Sequence, residues 1–366
     1  MAIVSQHDDL HAWAIRKELT DHRGLRCHIV PSDRLADNGG LVWADPGDEG
    51  FRAALPTVGG ESPEEERIDV VWFRRGHVAQ TAAPPSGDPA HDDPAHDEPV
   101  FDDPVYTEVI DSNSSWALLG VLLGSFTGRW VSDTRATRAA ESKALQLKVA
   151  RETGLRVPRT LISNDPRAVR RFCAQLGGRV VVKAVRASRR APLLTQRLRP
   201  EHLEPDERIR LCPAIYQECV PGRRHLRVHV FGDVVLAVAI ESSDLDWRTD
   251  LDLACRSCPL DDELGGQLLQ IVRALGLRMG VIDLKFDGDV PVWLKINPQG
   301  QFLFAEGLTG APLRAAMADL LCAEARAAGT GPATAANGPV LHGGPSTALL
   351  HPYRSPLHGV TRPPRG

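Results

Sequence analysis

The stretch that most constrains this chain is residues 279–298, MGVIDLKFDGDVPVWLKINP. Two apolar runs flank Asp287-Gly288-Asp289, and a turn of that composition between such runs specifies a β-hairpin. A second hairpin is written in LRVHVFGDVVLAVAI, turning near Gly232 and Asp233. The strand-like segments RVVVKAV and CPAIYQECV precede it, so strands dominate the second half. Helices interrupt them at DPRAVRRFCAQL, which starts on an Asp-Pro cap, at GQLLQIVRALGL and at APLRAAMADLLCAEARA.

The first half carries a different pattern. MAIVS reads as a strand, HAWAIRKEL as an amphipathic helix and LRCHIVP as a strand, the opening βαβ of a parallel sheet; IDVVWF is a further buried strand. Residues 106–124 return to helical spacing, and WVSD at 130–133 begins the segment leading into the second half. The row from Ala139 to Thr153, AAESKALQLKVARET, reads as one helix closed by Gly154 and followed by the strand VPRTLIS. The fold class expected is therefore α/β followed by α+β. With 366 residues, two or three domains are expected, and the pattern divides the chain into 1–125, 126–326 and a Gly/Pro/Ala/Ser-rich tail at 327–366.

Between Thr81 and Val105 lies DPAHDDPAHDEPVFDDPV, with no Lys or Arg, which reads as a solvated acidic loop inserted in the first domain. Apolar residues make up 42% and charged residues 25%, with a formal net charge of -4, so no basic face for nucleic acid is indicated. The start lacks a basic and then apolar run, and no stretch approaches the roughly 20 apolar residues of a membrane span. Seven scattered cysteines fit reduced thiols, and a cytoplasmic location is expected. Cys255-Arg-Ser-Cys258 has no second pair at zinc spacing, so it is not expected to hold metal.

The second half sets a lysine on one strand (Lys183), Gln217-Glu218 on another, and an acid and an amide on the late hairpin. An ammonium on the inner face of a sheet neutralises phosphate oxygens, and a carboxylate with an amide oxygen can hold magnesium. Such groups, brought together, make a nucleotide pocket between sheets.

The run GLRMGVIDLKFDG…VWLKINPQGQFLFAEGLTGAPL resembles the C-terminal signature of ATP-grasp peptide maturases, the graspetide or microviridin-type ligases. ESKALQLKVARETGLRVPRTLISNDP, PAIYQECVPGRRHLRVHVFGD and ESSDLDWR resemble that family in the same order. Residues 126–325 are covered, and VVWFRRG at 70–76 resembles the smaller pre-ATP-grasp domain that precedes the grasp. The resemblance implies an ATP-grasp fold of two α+β subdomains gripping ATP. It also implies that Lys143 and Lys183 meet the nucleotide phosphates and that Gln217 and Glu218 lie where adenine and ribose are recognised. By the same resemblance Arg227 and Arg248 face the transferred phosphate, and Asp283 and Asn297 hold Mg2+. His225 and His229, which share a strand face with Arg227, are expected to be neighbours of the site.

One departure stands out: where the family writes Glu-Ile-Asn-Pro, this chain writes Lys295-Ile296-Asn297-Pro298. A cation replaces a metal-bridging carboxylate, and one metal site should be weakened. Three outcomes stay open. The lysine substitutes in part for a magnesium ion, the chain binds nucleotide without turnover, or it serves as a peptide-binding partner subunit. RASRRAPLL after Lys183 also lacks the glycines common in phosphate-covering loops. The family implies a carboxylate-amine or carboxylate-hydroxyl ligase acting through an acyl phosphate. Its substrate would be a ribosomal precursor peptide, and a homodimer is expected.

Overall fold

The computed structural model describes residues 1–45, 52–58, 68–76, 104–186, 194–250, 253–329 and 340–342. Most of the acidic stretch 81–105, the tail beyond 329 apart from 340–342, and residues 187–193 of RASRRAPLL lie outside them.

Strand Ala2–Ser5 is buried along its whole length and pairs in parallel with His28–Pro31 on one side and Val70–Phe73 on the other. Burial on both faces explains why these strands are continuous apolar runs without alternation. Between the first two, helix Leu10–Lys17 begins at Asp9, whose carboxylate accepts a hydrogen bond from His11 N, and continues as a π-helical turn over Glu18–His22. Arg129–Val131, which the sequence suggests belongs to the second half, adds in parallel beside Val70–Phe73 and completes this sheet. Helix Pro104–Ser125 precedes it. Val42–Ala44, Arg52–Pro56 and Val340–His342 form a small sheet of their own.

The second half holds two antiparallel sheets. In one, Thr160–Ser163, Ala214–Glu218, Val180–Ala184 and Gln196–Arg197 lie side by side. In the other the order is Ala254–Cys258, Val234–Glu241, Arg224–Phe231, Met279–Asp287 and Val290–Asn297. Both expected hairpins are present. Gly232 and Gly288 sit at φ of 62°, the left-handed conformation that a tight turn needs and that glycine adopts without steric cost.

The single helix expected over 139–153 is two helices. Thr134–Ala140 is capped by Asp133, and Lys143–Glu152 starts afresh at Ser142, whose hydroxyl accepts from Leu145 N at 3.4 Å. Helical periodicity runs through the break, but the serine cap competes successfully for the backbone. Lys143 thereby becomes the first residue of its helix.

Helix Leu313–Gly329 ties the two halves together. Met317 and Leu321 are buried in one cluster with Ile3 and Trp72 of the first sheet and with Phe231 and Met279 of the five-stranded sheet. Each such side chain contributes about 1.5–3 kcal/mol on burial, so the halves are held by a continuous core and not by a linker. The N-terminus of Leu303–Thr309 is tied to the first sheet as well: His11 Nε2 accepts from Phe302 N at 3.0 Å and from Leu303 N at 3.2 Å. No helix among the described residues is long and apolar enough to cross a membrane.

Candidate functional site

A cavity of about 1180 Å³ lies where the two antiparallel sheets and the end of strand Val70–Phe73 meet. Lys143, Lys183, Glu218, Arg248, Asp283 and Asn297 all line it, as does Gln217. Residues separated by more than 150 positions in the chain are thus brought to one space, as the sequence pattern requires. Basic side chains outnumber acidic ones on the walls. The acids are largely spoken for as well. Arg248 donates from Nε to Asp246 Oδ1 at 2.7 Å, and Glu218 accepts from Arg159 N at 3.1 Å with Arg156 at 3.6 Å.

Lys183 projects from strand Val180–Ala184, and its Nζ donates to Gln217 Oε1 at 2.7 Å. The amide of Gln217 donates in turn to Thr160 Oγ1 at 2.9 Å. Gln217 therefore spends its side chain on orienting the lysine. Burial, and then the nearby charge of Lys295, bring Lys183 down to about 8, and the same two causes bring Lys143 to about 8. Both remain protonated at neutral pH, but the convergence of three ammonium groups is electrostatically costly without an anion.

Asp283 sits on the fourth strand of the five-stranded sheet, opposite Arg227 on one neighbouring strand and opposite Lys295 on the other. A bulge follows directly between Asp283 and Leu284. Arg227 Nη1 donates to Asp283 Oδ1 at 2.7 Å, and Lys295 Nζ lies 3.4 Å from Oδ2. Burial alone would raise the Asp283 carboxyl, but the two cations outweigh it and hold it below its ordinary value. Asn297, at the end of the hairpin, is exposed to the cavity.

Arg227 is placed differently from the expectation of a residue facing phosphate. It does not line the cavity: its guanidinium is buried behind Asp283, 5.3 Å from the ring centres of both Trp247 and Phe304. Its Nη2 donates to Gln301 O at 2.9 Å. Arg248, in a short turn at Trp247–Thr249, is about half exposed at the mouth. His225 lines the cavity and His229 does not. Burial, and then Lys285, hold His225 at about 4, so it is neutral at pH 7.

His229 is fully buried beside Phe231, and neither ring nitrogen has a hydrogen-bond partner. Burial and then Arg227 bring it to about 3. A depressed folded value means that the unfolded chain binds the proton more readily between about 6.5 and 3, so stability is lost as pH falls through that window. Replacing His229 by Phe is expected to flatten the fall in melting temperature between pH 6.5 and pH 4. An unchanged slope would show that other groups govern acid unfolding.

The weaker sequence signals resolve simply. Cys255 and Cys258 are free and three apart on strand Ala254–Cys258, so they point to opposite faces. Glu306 caps the last helix by accepting from Arg314 N at 2.6 Å. Sequence reasoning missed Arg74 and Gln299, which also line the cavity. The double arginine directly after a buried strand was the available signal.

No family model matches the sequence, and no curated protein matches it. Solved structures do. The macrocyclase MdnB from Microcystis aeruginosa MRC is 27% identical, covers 87% of this chain and 98% of its own, and superposes with a TM-score of 0.69. The ATP-grasp ligase PsnB, complexed with minimal precursor, Mg and ADP, is 25% identical over 88% of this chain and 96% of its own, with a TM-score of 0.65. The chain shares the fold of these ATP-grasp ligases and resembles them in sequence. The macrocyclase MdnC from the same Microcystis strain, bound with precursor peptide MdnA, is 24% identical over 88% of this chain and 99% of its own. Its TM-score of 0.72 shows the shared fold.

The wall chemistry fits a polyphosphate, because Lys143, Lys183 and Lys295 line a space in which Glu218, Asp246 and Asp283 already have partners. It fits magnesium through one carboxylate, Asp283, and one amide oxygen, Asn297, with phosphate and water completing the shell. Among the described residues the one group of His, Asp, Glu or Cys close enough to share an ion is His7, Asp8 and Asp33, just beyond the ends of strands Ala2–Ser5 and His28–Pro31. There His7 Nδ1 already contacts Asp33 Oδ2 at 2.7 Å.

Proposed function

We propose that this ATP-grasp ligase uses ATP and Mg2+ to join side chains of a ribosomal precursor peptide through ester or amide bonds. The observation that carries the reading is the convergence of Lys143, Lys183, Asp283 and Asn297 on one cavity, between sheets that sequence separates widely. ATP is consumed as a co-substrate: its γ-phosphoryl passes to a side-chain carboxylate, ADP leaves, and a hydroxyl or amine displaces phosphate from the acyl phosphate. A carboxylate is a poor electrophile, and its acyl phosphate has a good leaving group.

In this reading Lys183, fixed by Gln217 and Thr160, and Lys143, at the start of its helix, hold phosphate oxygens through charge-assisted bonds. Asp283 and Asn297 hold the metal, which offsets phosphate charge. Arg227 is a positioning residue that fixes Asp283 from behind, and Arg248, held by Asp246 in the turn at the mouth, is the cation that faces the transferred group. Glu218, at the cavity edge, faces the nucleoside end. Lys295 supplies a positive charge beside Asp283, so the site works with less metal than a second carboxylate would recruit. Residues 1–125 act as the pre-ATP-grasp part and 126–326 as the grasp, in a cytoplasmic protein.

Co-expression with a small acidic peptide encoded nearby is expected to lower the peptide mass by one water for each bond formed. An unmodified mass, with ATP turnover also absent, would instead favour the partner-subunit reading that Lys295 raises.

A further inference from the structure

Gln146 lies on helix Lys143–Glu152, one turn after Lys143, and is wholly buried. Both polar atoms of its side chain are engaged. Nε2 donates to Ile296 O at 2.9 Å and to Ala140 O at 2.6 Å, and Oε1 accepts from Ile296 N at 3.0 Å. These partners fix the amide orientation, because two carbonyls need the NH2 and one N–H needs the oxygen.

Ile296 stands between Lys295 and Asn297 on strand Val290–Asn297, the outermost strand of its sheet. In an antiparallel ladder the N–H and C=O of one residue point to the same side. Those of Ile296 go to Gln146, so they point away from the neighbouring strand Met279–Asp287. The amide closes an edge that would otherwise leave a buried donor and acceptor unpaired. Its two bonds fall on the two peptide groups that join Ile296 to Lys295 and to Asn297. Both peptide planes are thereby held, and with them the directions in which Lys295 and Asn297 leave the strand for the cavity that they line. The third bond reaches Ala140, the last residue of helix Thr134–Ala140, across the break that makes Lys143 a helix start.

We infer that Gln146 is a positioning residue of the ligase site, which holds Asn297, the proposed metal ligand, and Lys143, the proposed phosphate cation, at a fixed separation. The inference rests on the ligase reading and adds to it a residue that touches neither nucleotide nor metal, since Gln146 does not line the cavity. A side chain of the same length without the amide would fill the space and hold neither peptide plane. Partners behind a metal ligand set its orientation, and their loss costs about ten- to a hundredfold in metal affinity.

The test titrates the full chain with Mn2+, which takes the same oxygen ligands as Mg2+, in the presence of saturating ADP. Free Mn2+ is read by electron paramagnetic resonance, and ADP affinity without metal by calorimetry. Gln146→Met keeps the length of the side chain and removes all three bonds. Mn2+ affinity is expected to fall about tenfold or more, and ADP affinity by a smaller factor. In hydrogen exchange the Ile296 amide should lose protection, while Ile282, which pairs with Val228 on its other side, keeps its own. Gln146→Asn, one methylene too short to reach all three partners, is read in the same way should the methionine variant not fold. Leu122→Ala, a truncation in the core of the first sheet, is the control for lost stability and should change neither affinity. Unchanged Mn2+ affinity in the Gln146 variants, or an equal fall in Leu122→Ala, would overturn the inference. An unaltered protein that binds ADP but no Mn2+ would strike the metal from the ligase reading. The ADP affinities then decide alone: a fall confined to the Gln146 variants supports the hold on Lys143, and an unchanged value overturns it. An unaltered protein that binds neither would strike the ligase reading and the inference together.

Discussion

Lys183→Met is expected to weaken binding of a non-hydrolysable ATP analogue by about ten- to a hundredfold, the worth of one charge-assisted hydrogen bond from a buried ammonium. The size follows from preorganisation. Lys183 Nζ is already held by Gln217 Oε1, itself tied to Thr160, so little side-chain freedom is lost when phosphate arrives. Its value of about 8, set first by burial and then by Lys295, adds a pH signature. Anion binding needs the protonated amine, so affinity in the unaltered protein should decline as pH rises above about 8.

The empty protein should respond with the opposite sign. Because the folded value is depressed below the unfolded 10.5, the cost of a buried charge is fully present below pH 8. That cost is relieved as pH rises from about 8 to 10.5. Lys183→Met should lose part of this alkaline gain in stability while also losing nucleotide affinity. Calorimetric titration with the analogue, and urea unfolding of the empty protein, each run at pH 7 and pH 9, check the two effects. An unaltered affinity in the variant would remove Lys183 from the phosphate site.

What the sequence made legible here divides by physical cause. Both hairpins could be read because Gly232 and Gly288 mark turns that other residues adopt only under strain, and the flanking strands carry the apolar pattern of a sheet. The parallel strands of the first sheet were legible as apolar runs, but Arg129–Val131 is only three residues long, too short to declare which sheet it joins. The break at Ser142 was hidden because helical spacing continues through it.

Site residues on strands were found as types, and the cavity gathers most of them. Arg227 shows the limit of that reading. Alternation along a strand tells which face a side chain shares, not that Trp247 and Phe304 enclose it from a distant turn. Gln217 shows another: its role depends on Lys183 and Thr160, which lie on the two strands flanking its own. Arg74 and Gln299 were invisible as a pair because they are more than 200 positions apart and meet only through the packing of the two halves.

Asp283→Asn should cost both stability and turnover, and the two losses can be separated. Asp283 is buried between Arg227 and Lys295, with side-chain exposures of 8% for Asp283 and Arg227 and 36% for Lys295. Lys295 can turn toward solvent when its partner is neutralised. Arg227 cannot, since Trp247, Phe304 and Gln301 O fix it in place. Removing one member of a buried ion pair leaves an uncompensated charge, a loss of about 3–5 kcal/mol.

Adding Arg227→Met removes that stranded charge and puts a flexible thioether beside two aromatic rings, where it packs favourably. The double variant should therefore recover most of the stability lost in urea unfolding. It should not recover turnover, because the carboxylate proposed to hold the metal is still absent. ADP release and the peptide mass then read chemistry independently of folding. Wild-type turnover in the stable double variant would show that Asp283 serves only the fold, and full stability in Asp283→Asn alone would show that the pair with Arg227 is not the strut described here.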